Sequence, residues 1–247
     1  MFKDKKVIIF DMDGTLIDSV GMWNKTDETL IKKFTNKSMD EFFAENDIQA
    51  KDIGQMRDSI LAKCKSGDIY LEYCKWLKEK FKTDTQAEEI LKLRWDIANK
   101  YIINEVDYKE DADVLLEKLK EKGYILALAT TTTKDRLDIY KKKLKKADIS
   151  ELFAVILSKE DVQHKKPSPE IHNKIMEKLD VTPEECLVVE DALIGVQAAK
   201  NAGIEVVNIY DKYSDSDREE INNLSDYKVK NFKELIDILD REYGDVP

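Results

Sequence analysis

The chain has 247 residues, with 41 lysines and arginines against 51 aspartates and glutamates, and its formal net charge of −10 excludes the basic field that a nucleic-acid groove needs. About 42% of the residues are hydrophobic, enough for one large core or for a core domain with a smaller partner. No window approaches the roughly 18 consecutive apolar residues of a membrane helix, and the apolar run before Asp11 is too short for a secretory signal, so a cytoplasmic protein is expected.

The first element is residues 7–10, a short apolar run rich in β-branched side chains that suits a strand buried on both faces of a parallel sheet. It ends in Asp11-Met12-Asp13-Gly14-Thr15. Ligands of open parallel sheets sit beyond the carboxyl ends of the strands, and two carboxylates two residues apart share a side if the backbone stays extended. Buried together they are costly unless a cation or a proton is shared between them. A turn is the simpler account of Asp and Gly taken alone.

Residues 20–104 then break the pattern. They hold no convincing strand but show helical periodicity around 23–34, 53–64, 69–81 and 87–103, separated by Gly67 and by the polar Lys82-Thr83-Asp84-Thr85. A second, all-helical domain inserted after the first strand is expected over 20–104, leaving 1–19 and 105–247 as the core. Trp23, Arg57, Lys63 and Lys65 are its aromatic and cationic candidates for contact with a substrate, although such side chains are usually core or surface. Cys64, Cys74 and Cys186 form no C-x-x-C pair, and reduced thiols are expected.

Past the insertion the chain alternates. A helix at 111–122 closing at Gly123 precedes a strand at 125–130, which ends in Thr130 and three further threonines. A hydroxyl at a strand end, beside free backbone N–H groups, can hold phosphate oxygens, or can simply cap a helix. The lysines of 141–146 read as a solvated helix face. A strand at 154–157 leads to Lys165-Lys166-Pro167-Ser168-Pro169-Glu170, where two prolines stiffen the approach to a helix at 169–179 and hold Lys166 in a defined place. A lysine so placed can stabilise charge on a transferring phosphoryl group, while an ordinary lysine is solvated. The strand at 186–189 ends in Glu190-Asp191 and is followed by a helix at 192–201 closing at Gly203, a strand at 205–209 and a final helix at 231–243. Repeated βα units of this kind predict a doubly wound parallel α/β sheet. With only His164 and His172 present, a histidine triad or a multi-histidine zinc site is hard to assemble, so the chemistry must come from carboxylates. Acids ending two strands suit Mg²⁺, which takes one or two protein carboxylates plus substrate phosphate.

In order, Asp11-Met12-Asp13-Gly14-Thr15, Thr130, Lys166 and Glu190-Asp191 resemble the four signature motifs of the haloacid dehalogenase superfamily, over essentially the whole chain. The insertion resembles the helical cap of its phosphoglycolate phosphatases and β-phosphoglucomutases. The resemblance implies that Asp11 is a nucleophile forming an aspartyl-phosphate, and that Asp13 protonates the leaving oxygen and then activates water while its backbone carbonyl contacts the metal. It further implies that Thr130, the Thr131 amide and Lys166 grip the phosphoryl oxygens, and that Asp191, with Glu190 directly or through water, completes a Mg²⁺ site with Asp11. The function expected is hydrolysis of a small phosphorylated metabolite by a monomer or weak homodimer, with the cap closing over Asp11 and setting specificity. A phosphomutase is the nearer alternative, although the cap-entry histidine of those enzymes is replaced here by Trp23; Arg57 is then a candidate for a second phosphate. A dehalogenase, which lacks the second aspartate, is disfavoured, and a non-catalytic metabolite-binding protein is the reading from another class.

Overall fold

In the computed structural model, which describes residues 1–50, 53–61, 63, 68–144 and 147–244, the run Val7–Phe10 forms a strand, β1, with every residue buried. A strand apolar on both faces needs helices on both, as in the middle of a parallel sheet. After β1 come helices α1 (Val20–Thr35), α2 (Met39–Glu45), α3 (Ile53–Leu61), α4 (Ile69–Phe81) and α5 (Ala87–Asn104). Then follow α6 (Ala112–Glu121), β2 (Ile125–Ala129), α7 (Lys134–Lys143), α8 (Ile149–Leu152), β3 (Val155–Leu157), α9 (Glu170–Leu179) and β4 (Cys186–Glu190). The chain continues through α10 (Leu193–Asn201), β5 (Glu205–Ile209), α11 (Arg218–Leu224), β6 (Tyr227–Val229) and α12 (Phe232–Tyr243).

The strands form one sheet of order β3-β2-β1-β4-β5-β6, every neighbouring pair parallel. Chain order reverses at β1, so the crevice between the carboxyl ends of β1, β2 and β4 is the switch point where such sheets bind ligands. Register fixes what meets there: Phe10 pairs with Leu128 on one side and Val189 on the other. Val7, Ile9, Ala127, Val188 and Val206 bury one sheet face against Ile171 and Ile175 of α9 and Val196 and Ala199 of α10.

The residues form two compact units, Met1–Ser19 with the chain from Asp107 onward, and Val20–Val106. The second is helical and has its own core, which includes Leu30, Phe42, Tyr73, Leu77 and Ile90. Its α2, which the hydrophobic pattern does not reveal, starts in a capping box in which Ser38 accepts from the Glu41 amide and Glu41 accepts from the Ser38 amide. No described helix is long and apolar enough to cross a membrane.

Boundaries shift slightly from the sequence expectation. The strand expected to run to Thr130 ends at Ala129, and the one expected to end at Val189 takes in Glu190. Thr130 still donates its amide to Leu157 at 3.0 Å, so it prolongs the ladder by one bond as the chain leaves the sheet. Cys74 and Cys186 are buried free thiols, whereas Cys64 and Gly67 lie outside the described residues.

Candidate active site

Asp11 leaves β1 with its amide still bonded to the Val189 carbonyl at 3.1 Å, which sets it beside the acidic end of β4. The turn that follows is closed by Leu16 and Ile17 amides on the Met12 carbonyl, at 3.0 and 3.1 Å. Gly14 takes φ of +90° in it, and a Cβ there would lie 2.6 Å from Asp191 Oδ2; both the backbone angle and the close approach require glycine. Asp11, Glu190 and Asp191 are buried, and each offers a carboxylate oxygen within 4.8 Å of the others. Lys166 enters from the loop before α9. Its ammonium donates to Asp11 Oδ1 at 2.7 Å and to Glu190 Oε2 at 2.8 Å, and its side chain is only 2% exposed. A lysine taken alone is expected in solvent; this one is buried because two carboxylates compensate its charge.

The charges do not balance. Burial works against the Lys166 ammonium, but Asp11 and Glu190 outweigh it and hold its pKa above the usual lysine value. Burial raises the pKa of Asp11, against the pull of Lys166, and raises Glu190 well above the carboxylate range with Asp11 adding to it. Burial and Asp11 together push Asp191 up to about 7. Three carboxylates share one ammonium, a formal excess of two negative charges in a space water barely reaches. A hard divalent cation with oxygen ligands relieves that excess, and Asp11, Asp191 and Glu190 form a donor set that fits one. The cluster is held from outside as well: Asp191 accepts from Thr15 Oγ1 at 2.7 Å and from Ser214 Oγ at 3.4 Å. Asn208 on β5 donates to the carbonyls of Glu190 and Asp191 at 3.1 and 3.3 Å, and Arg218 donates to Asn208 Oδ1 at 3.0 Å.

The Asp13 carboxylate is held apart from this cluster. Ser19 Oγ donates to its Oδ1 at 2.6 Å, Tyr140 OH to the same oxygen at 3.2 Å, and Thr132 Oγ1 to Oδ2. Thr130 is buried at the end of β2 with its hydroxyl accepting from the Thr132 amide at 3.0 Å, while Thr131 is exposed. The cap position of α7 is Thr133, so Thr130 does not cap that helix.

Within the helical unit, the half-buried Trp23 meets Trp95 edge-on at 5.5 Å, with the Arg94 guanidinium 4.8 Å from its ring centre. Arg57 is not a solvated side chain: it is 11% exposed and donates to Asn24 Oδ1 at 3.2 Å and Asp27 Oδ2 at 3.3 Å. Lys63 is exposed, and Lys65 lies outside the described residues.

The family model of haloacid dehalogenase-like hydrolases matches residues 8–209, which take in every one of these strand-end groups. The chain belongs to that family. Among haloacid dehalogenase-like relatives, a phosphorylated carbohydrates phosphatase of Thermotoga maritima is 30% identical over 208 residues, covering 81% of this chain and 82% of that protein. A phosphoglycolate phosphatase of Aquifex aeolicus is 29% identical over 80% of this chain and 81% of its own. The structure of CbbY from Rhodobacter sphaeroides in complex with phosphate superposes with a TM-score of 0.66 at 23% identity, covering 94% of this chain and 96% of that one. A hydrolase from Pseudomonas syringae gives 0.65 at 24% identity over 96% and 99%. These structural likenesses establish the haloacid dehalogenase-like fold of the chain. Thr132, Ser19, Tyr140, Ser214 and Asn208 were not legible as site residues. Tyr140 and Asp13 are 127 positions apart, and no local spacing connects them.

Proposed function

We propose that the protein hydrolyses a small phosphomonoester, a sugar phosphate or similar metabolite, by way of an aspartyl-phosphate on Asp11. The observation that supports this best is the placement of Lys166 within 2.7 Å of Asp11 in the same buried cluster as Glu190 and Asp191. A carboxylate attacks a phosphate dianion poorly unless the incoming charge is neutralised. Mg²⁺ bound by Asp11, Asp191 and Glu190 would supply that neutralisation by polarising phosphoryl oxygens. The rest is done by the chain. An Asp11 oxygen forms a bond to phosphorus as the bond to the leaving oxygen breaks, and Asp13 gives its proton to that oxygen. Asp13, now a carboxylate, takes a proton from water as the water oxygen bonds to phosphorus. The Asp11 ester bond then breaks, restoring the carboxylate and releasing phosphate. Lys166, the Thr130 hydroxyl and the Thr131 amide hold the phosphoryl oxygens, and a buried site keeps other water from the intermediate.

We assign the choice of substrate to the helical unit of 20–104 as its cap, with Trp23 and Arg57 as candidate contacts. The curated relatives, named for phosphorylated carbohydrates and for phosphoglycolate, support a small anionic substrate. The test is phosphate release from a panel of sugar phosphates, phosphoglycolate, nucleotides and pyrophosphate, with Mg²⁺ and with chelator. Asp11→Asn is expected to lower turnover by roughly 10³-fold or more, and chelation to abolish it. Equal activity of the two proteins would refute the reading, and isomerisation of a sugar phosphate without phosphate release would move the protein to the mutases.

A further inference from the structure

The Asp13 carboxylate is bound by three hydroxyls, and the third comes from an unexpected place. Ser19 lies just past the first motif and Thr132 just past the second strand, both on short side chains at the edge of the site. Tyr140 lies two turns into α7, where with Leu137 it forms the buried face of the helix. It is 0% exposed, one of the largest fully buried side chains of the described chain, and its hydroxyl donates to Asp13 Oδ1 at 3.2 Å. Burying a phenol hydroxyl costs about 1–3 kcal/mol unless it is bonded, and phenylalanine would fill the same space without that cost. The hydroxyl therefore has a reason to be there, and its partner is the group to which the proposed mechanism gives both proton transfers.

We propose that Tyr140 is a positioning residue for Asp13, fixing the carboxylate orientation from which a proton passes to the leaving oxygen. The inference rests on the phosphatase reading and adds to it. With Ser19 and Tyr140 on Oδ1 and Thr132 on Oδ2, both oxygens are tied and rotation of the carboxylate is blocked. Ser19 and Thr132 hydroxyls turn about a single bond; the Tyr140 ring is locked by packing, so its oxygen sets the reference position. Burial also raises the phenol pKa above the usual tyrosine value, so the group stays a donor at neutral pH.

The test is Tyr140→Phe, read as kcat/KM, which reports steps up to departure of the leaving group. An alkyl phosphate needs a proton on its leaving oxygen and 4-nitrophenyl phosphate does not. The variant is expected to lose about 10- to 100-fold in kcat/KM on the alkyl substrate and less than about 3-fold on the aryl one. In an Asp13→Asn background the same substitution is expected to change neither. Equal losses on the two substrates, or an undiminished effect without Asp13, would show a merely structural tyrosine and overturn the assignment. A wild type that turns over no phosphomonoester overturns the phosphatase reading and this assignment with it.

Discussion

At Gly195, in the first turn of α10, a methyl group would stand 2.0 Å from Glu190 Cδ and 2.3 Å from either carboxylate oxygen. Glu190 accepts from Lys166 through Oε2 and from the Ala192 amide through Oε1 at 3.4 Å, so it has little freedom to withdraw. Two effects of Gly195→Ala compete. Alanine favours a helix over glycine by about 1 kcal/mol, while displacement of Glu190 disturbs the Lys166 ammonium and the carboxylate cluster together. The clash is far inside any tolerated contact, and misplacing a catalytic group by about 1 Å costs on the order of 10²-fold. On the proposed function, Mg²⁺ is expected to raise the Tm of the wild type, and the variant is expected to fold, to lose about 10- to 100-fold in turnover, and to lose most of that rise. Thermal melts with and without Mg²⁺, beside phosphate-release rates, check this; an unchanged Mg²⁺ shift would show that Glu190 has no part in holding the ion.

At the scale of elements, α1 and α5 are joined through an ion pair that no periodicity announces. Asp27 is fully buried and accepts from Arg94 Nε at 2.6 Å and Nη2 at 3.1 Å, and Arg94 is 1% exposed with Trp23 and Tyr73 rings over its guanidinium. Removing one partner of such a pair strands a charge, which costs about 3–5 kcal/mol, whereas apolar replacement of both is often close to neutral. Asp27→Ala is expected to destabilise the helical unit by that amount, and Asp27→Leu with Arg94→Met to recover most of it, because the 11% exposed Arg57, which also donates to Asp27, keeps Asn24 as a partner. The three tryptophans, Trp23, Trp76 and Trp95, all lie in α1, α4 and α5, so urea unfolding followed by their fluorescence reports on this unit alone. A double variant as unstable as the single one would mean that the pair contributes more than its charges. In the sequence, Asp27 and Arg94 look like ordinary polar positions on amphipathic helices, because a helical pattern records which face is apolar and not which charged side chain is drawn into it.

Across the whole molecule, the alternation of apolar runs with charged helices was enough to read the parallel sheet, since four consecutive apolar residues such as Val7–Phe10 suit a strand only where both of its faces are covered. The candidate acids at strand ends stood out in the sequence by position alone, and the structure brings them together because β1 and β4 are neighbours. Three-residue β6, with Lys228 exposed on the sheet edge, carries too short a pattern to read. Burial of single polar groups was equally hidden. His172 closely follows the Lys165-Lys166 pair, yet it faces inward from α9 at 0% exposure, and neither ring nitrogen has a hydrogen-bond partner among the described residues. Burial, and then the nearby Lys166 charge, push its pKa from 6.5 down to about 3. Between those values the unfolded chain takes up a proton that the fold refuses, so stability rises with pH across the window and is lost as pH falls below 6.5. From about pH 7.5 to about pH 4.5 the loss amounts to roughly 2–3 kcal/mol. Asp161, held at about 2 despite burial by Lys134 and Ser158, loses its contribution only at lower pH. The raised carboxyls of Asp11, Glu190 and Asp191 act with the opposite sign, but equally in a variant that keeps them. Stability of the sheet unit, measured by urea unfolding and circular dichroism between about pH 4.5 and about pH 7.5, is therefore expected to fall off more steeply with acid in the wild type than in His172→Leu. Parallel curves for the two proteins would show that the imidazole reaches a proton acceptor or water in the folded state.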